Sequence, residues 1–170
     1  SALRDRTLKI GSAGKMFSLT GWKVGFACAA PELTELFTKA HQFLTFTTPP
    51  NLQRGVAHGL GKDRSYFEDM RAGFQRSRDR LKAALEGEGF ATLPARGAYF
   101  LSIDLAASGI ALSEADFARH AIDHGVATIP ISAFYAAPGA PALVRLCFAK
   151  SDATLDRGAE ALIKAKRALA

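Results

Sequence analysis

Residues 63–85 hold the longest uninterrupted pattern in the chain. Phe67, Met70, Phe74, Leu81 and Leu85 recur there at helical intervals, over about six turns at 3.6 residues per turn. A helix of that length commonly links two domains, so the chain reads as two pieces: residues 1–75, and a compact α/β piece over 76–170. Upstream, residues 7–12 and 22–29 read as short buried strands with a glycine-rich connection. Pro31 then opens a helix with Leu33, Leu36, Phe37, Ala40 and Phe43 on one face. Thr-Thr-Pro-Pro at 47–50 interrupts it, and 51–60 reads as another short helix. Downstream of Gly87 and Gly89 the pattern changes. Residues 90–93 and 98–105 read as strands joined by a Pro-Ala-Arg-Gly turn. Residues 113–124 read as a helix with Ser113 and Asp116 as a capping-box variant, and Gly125 as its stop. Residues 126–129 and 144–148 read as further strands, and 152–169 as a helix whose basic last turn suits its dipole. The fold class is α/β.

Composition narrows the function classes. With 170 residues, 48% hydrophobic and 22% charged, the chain has the makeup of an ordinary globular protein with a real core. Apolar stretches such as 24–31 fall well short of the roughly 20 residues that span a bilayer, and no leader is visible, so the chain reads as neither membrane-spanning nor exported. A net charge of +6 raises nucleic acid as a partner. Its basic residues, such as Arg71, Arg76, Arg78, Arg80 and Lys82, interleave with Glu68, Asp69 and Asp79, the pattern of a solvated helix face. Anionic small molecules fit better. Cys28 and Cys147 lie in apolar runs without partners at metal-ligand spacing and read as reduced core thiols of a cytoplasmic protein. The two methionines are Met16 and Met70, and the absence of an initiator reads as a trimmed N-terminus.

One short segment carries chemistry. In KIGSAGKMFSLTGWKVGF, residues 9–26, Lys15 stands among small residues and Lys23 follows ahead of an apolar run. A lysine becomes a nucleophile when burial or neighbouring charge lowers its pKa, and its common covalent use is a Schiff base with a carbonyl compound. Slim neighbours would let a flat cofactor approach, and Gly11, Ser12, Ala13 and Gly14 supply them. Ser12 and Lys23 would suit a phosphate beside it. On local chemistry alone the segment reads more readily as a turn bearing a solvated lysine. It is not a P-loop, because the Gly-x-x-x-x-Gly-Lys-Ser/Thr spacing is absent.

The stretch SAGKMFSLTGWKVGF resembles the lysine motif of fold-type I, pyridoxal-phosphate-dependent aminotransferases of classes I and II, Ser-x-x-Lys-x-Phe-x-x-Thr-Gly-Trp-Arg/Lys-x-Gly. Within that family the chain is most similar to the kynurenine, glutamine and methionine aminotransferase branch. The resemblance continues in order through LRDRTLKI, HQFLTFTTPPNLQ, GAYFLSIDL, VATIPISAFY and VRLCFAKSDATL. It implies that Lys15 carries pyridoxal 5'-phosphate as a Schiff base and later moves the proton between substrate Cα and cofactor C4′. Ser12 and Lys23 hold the phosphate, with Lys23 standing where many members use arginine. Arg145 clamps the substrate α-carboxylate through two parallel hydrogen bonds; by pattern alone it is an ordinary strand arginine. Tyr99, with Gly97, matches a segment near the substrate end of the pocket, although a tight turn into a core strand explains both. Phe46 matches a position that reaches toward a neighbouring subunit's substrate pocket, or is a core aromatic. Ser132, Phe134 and Tyr135 fall in a loop that commonly covers the site. His41, His58, His120 and His124 carry no assigned chemistry.

The resemblance further implies that these residues are the C-terminal part of a larger enzyme: the end of a large domain, a long linking helix and a small α/β domain. The groups that face the cofactor ring belong to the family's upstream portion, so the isolated chain is expected to turn over little. The full-length protein is expected to be a homodimeric aminotransferase that passes an amino group from an aromatic, sulfur-containing or glutamine-like amino acid to a 2-oxo acid. The alternatives are β-elimination from cysteine conjugates, a non-catalytic binding or association domain, and nucleic-acid binding, which rests on charge alone.

Overall fold

The computed structural model describes residues 3–137 and 139–169. It divides into two compact units, Ser1–Arg64 and Ser65–Ala170.

The first unit is built on an antiparallel hairpin of β1 (Lys9–Ser12) and β2 (Gly25–Cys28), with Gly11 opposite Phe26 and Ser12 opposite Gly25. Between the strands lie a single helical turn, α1 (Ala13–Met16), and a 3-10 turn over Thr20–Trp22. Helices α2 (Pro31–Leu44) and α3 (Pro50–Leu60) follow, each with proline in its first turn, where the missing N–H costs nothing. The core here is small: Ala13, Val24 and Val56, with Phe17 and Leu52 packed beside them. No residue of α2 is fully buried.

The second unit begins with the long helix α4 (Arg64–Glu86). Its strands β3 (Ala91–Thr92), β4 (Phe100–Asp104), β5 (Ile129–Pro130) and β6 (Leu143–Cys147) form one sheet in the order β3-β4-β6-β5, every pairing antiparallel. Helices α5 (Glu114–Asp123) and α6 (Asp152–Arg167) complete it. Alternation along β4 and β6 sends Leu101, Ile103, Val144 and Leu146 into a core shared with Leu81, Leu85, Phe117 and Leu162. The opposite face carries Phe100, Ser102, Arg145 and Cys147, all half-buried.

The helix signals behave as expected. Ser113 Oγ accepts from the Asp116 N–H at 3.1 Å and its own hydroxyl donates to the Asp116 carboxylate at 2.5 Å, which closes the first turn of α5. Gly125, at φ 92, ends it. Arg80 grips Asp156 through two parallel bonds of 2.7 and 2.8 Å, tying α4 to α6.

Three expectations change. Packing divides the chain at Arg64 rather than near residue 75, because the C-terminal turns of α4 seat Leu81 and Leu85 in the second core. The strand expected over 126–129 shrinks to Ile129–Pro130. The cysteines are free, as expected, but Cys28 is exposed and Cys147 half-buried; each falls on the outward phase of its strand, so neither is a core thiol. Among the described residues, no helix is long and apolar enough to cross a membrane.

Candidate active site

The lysine segment is organised by the hairpin. The Ala13 N–H donates to the Val24 carbonyl at 3.1 Å, directly after the last strand pair, Ser12 and Gly25. Ser12 and Lys23 therefore flank one inter-strand bond, and Lys15 follows on the helical turn that β1 enters. The return path is held by the Leu19 N–H on the Gly14 carbonyl at 2.9 Å. It ends at Lys23 in the left-handed region, at φ 56. For a side chain with a Cβ that geometry costs roughly 1–2 kcal/mol, and such outliers concentrate at functional sites. Ser18 shares it, also at φ 56.

Ser12, Lys15 and Lys23 are all exposed. Among the described residues, none has a side-chain hydrogen bond or ion pair. Two ammonium groups and a hydroxyl without internal partners, around one turn, form a donor set for a phosphate with an amine left over for covalent work. The residues present fit a phosphorylated carbonyl cofactor.

The slim residues around Lys15 have a different job from the one expected. A Cβ on Gly11 would lie 2.2 Å from the tip of the Phe26 ring, so this cross-strand aromatic occupies the space the glycine leaves. Ala13 is wholly buried. A Cβ on Gly14 would meet the Leu19 carbonyl oxygen and Thr20 Cα at 3.2 Å. Small side chains here let the segment fold against itself. Access to Lys15 comes from its own exposure.

Phe46 belongs to the same unit. It is 79% exposed and at φ 68, so the core-aromatic reading falls. Its ring borders a cleft of about 440 Å3 together with Val24, Gly25, Phe37 and His41.

Tyr99 and Arg145 belong to the second unit. The Tyr99 ring packs 4.6 Å from Phe100 and 6.1 Å from Phe74, against the core. Arg145 stands in the middle of the sheet, opposite Ser102 on one side and Ile129 on the other. Its guanidinium carbon lies over the Phe100 ring at 4.0 Å and over the Phe134 ring at 4.6 Å. Its Nε is buried without a hydrogen-bond partner. An unpartnered buried donor on a permanent cation is an uncompensated cost, and a carboxylate is the ligand that removes it.

The structure thus gathers Ser12, Lys15 and Lys23 in one unit and presents Arg145 from the open sheet face of the other. Sequence reasoning left Phe100 without a role; it reaches Arg145 diagonally across a strand pairing that spacing along the chain does not reveal. His120 and His124 are absorbed by packing, through Ala165 O at 2.8 Å and His120 O at 2.9 Å.

The chain is 37% identical over 161 residues to methionine aminotransferase of Escherichia coli K12, covering 94% of this chain and 42% of that protein. It is 32% identical to kynurenine–oxoglutarate transaminase of Dictyostelium discoideum, covering 96% and 42%. The solved structure of N-succinyldiaminopimelate aminotransferase from Mycobacterium tuberculosis superposes with a TM-score of 0.89 at 35% identity, covering 97% of this chain and 43% of that one. The chain therefore spans less than half the length of these relatives. Residues 3–162 match the family model for aminotransferase class I and II, whose members use pyridoxal phosphate, and the chain belongs to that family.

Proposed function

We propose that the full-length protein containing these residues is an aminotransferase that moves an amino group from an aromatic, sulfur-containing or glutamine-like amino acid to a 2-oxo acid. The observation that carries the reading is the set of exposed, unpartnered groups Ser12 Oγ, Lys15 Nζ and Lys23 Nζ around one turn of the hairpin. Pyridoxal phosphate, when bound, supplies an electron sink for the substrate Cα. Ser12 and Lys23 hold its phosphate, Lys23 as a point charge. Lys15 anchors it and, once released, moves the proton at the substrate Cα. Arg145 receives the substrate α-carboxylate in the plane of its guanidinium. Tyr99 and Phe46 border the substrate, Phe46 from a neighbouring subunit. Phe43, Leu44 and Phe46, at 86%, 86% and 79% exposure, support association as a homodimer. Free thiols support a cytoplasmic setting.

The test is direct. Pyridoxal phosphate is mixed with the 170-residue chain and with the full-length protein, and absorbance near about 420 nm is followed by borohydride reduction and peptide mapping. Cofactor fixed on Lys15 in the full-length protein supports the reading, with little fixation on the chain alone. Fixation elsewhere, or none in either protein, overturns it. Donor choice is then read by assaying methionine, kynurenine and glutamine.

A further inference from the structure

The Arg145 side chain has no salt bridge and no hydrogen bond among the described residues, yet the residue is only half exposed. Something other than a carboxylate holds it. The Phe100 and Phe134 rings make no ring contact with each other, and the guanidinium carbon lies over both, at 4.0 and 4.6 Å, so the cation sits between them. The attraction acts through the negative quadrupole of each ring face and uses none of the N–H donors as a hydrogen bond. A carboxylate partner would hold the side chain as firmly, but would consume the donors that a ligand needs.

Both rings are placed by separate parts of the second unit. Phe100 opens β4 and pairs with Cys147, two residues beyond Arg145 on the same face of β6, which is the diagonal reach of an aromatic across an antiparallel pair. Phe134 ends the 3-10 turn Ile131–Phe134 that leaves β5, the strand whose Ile129 faces Arg145 from the other side.

We infer that Phe100 and Phe134 are positioning residues for the carboxylate site: their rings hold the Arg145 guanidinium between them without using its N–H donors. This rests on the reading of Arg145 as the carboxylate receptor. Phe134 is 60% exposed, so its truncation leaves the core intact.

The full-length protein is labelled with 15N-arginine and titrated with 2-oxoglutarate, following the Arg145 Nε–H signal, identified by its loss in Arg145→Lys. In the wild type that signal carries a ring-current shift and moves on titration. In Phe134→Leu the ring-current shift shrinks and the midpoint rises about fivefold to twentyfold, the range of one partly desolvated cation–π contact. Phe134→Tyr restores both. A Phe134→Leu midpoint equal to wild type overturns the positioning role while leaving Arg145 as the receptor. A wild-type signal that 2-oxoglutarate does not move overturns the receptor reading, and the inference with it. Equal loss in Phe134→Leu and Phe134→Tyr also overturns it, because bulk rather than the aromatic face would then be at work.

Discussion

The two units solve opposite problems. The first carries the groups proposed for covalent chemistry on a hairpin and a single helical turn, over a core of Ala13, Val24 and Val56, and leaves Leu36, Phe43, Leu44 and Phe46 in solvent. The second has a continuous core from Leu81 to Leu162 and offers one cation, Arg145, on its open sheet face. Reactivity is concentrated where packing is thin, and anchoring where packing is dense. A side chain that must meet a cofactor has to remain accessible, whereas a receptor arginine gains from a rigid, half-desolvated frame.

Five substitutions probe that contrast, beginning with the largest effect. Lys15→Ala removes an exposed side chain outside both cores: cofactor fixation in the full-length protein is lost entirely, while the unfolding midpoint in denaturant stays put. A large drop in midpoint would show that Lys15 is structural. Phe117→Ala empties a position with no exposure and should cost about 3–5 kcal/mol. Phe43→Ala, at 86% exposure, should change stability by less than about 0.5 kcal/mol. Equal losses in urea unfolding would erase the distinction between the units.

Lys23→Gly separates charge from backbone. Relief of the left-handed conformation, roughly 1–2 kcal/mol, offsets the entropy that glycine adds to the unfolded chain, about 0.5–1 kcal/mol. Stability should therefore hold or rise slightly while retention of the cofactor, measured by dialysis, weakens. Stability falling together with retention would mean that Lys23 has an internal partner.

The smallest effect concerns the second unit's surface. Hydrogen bonding from Arg80 holds the Asp156 carboxyl below its ordinary range. A carboxylate depressed in the folded state adds stability that is present above its unfolded value of about 3.9 and is lost as pH falls through the folded value. Thermal melts of wild type and Asp156→Asn should thus differ at pH 7 and converge below pH ~4. Because the pair is exposed, salt should shrink the difference as well.

Legibility in the sequence followed the range of the interactions involved. The α4 pattern, the Ser113 cap and the Gly125 stop each depend on residues within a few positions of one another, and each appears where spacing placed it. Ser12, Lys15 and Lys23 lie close in sequence, within one hairpin connection, whereas the Phe26 ring that fills the space beside Gly11 lies on the opposite strand. Phe46 could be told from a core aromatic only by its exposure.

Local chemistry therefore settled the element types and their ends, because backbone propensity and capping act over a turn or two. Strand register decided the rest. The pairing of β4 with β6 puts Phe100 against Arg145, the turn after β5 brings Phe134 to its other face, and the strand phase turns Cys28 outward. A slip of one residue would send each of these side chains to the opposite face of its sheet, so no spacing along the chain specifies them. They exist only once the strands have paired.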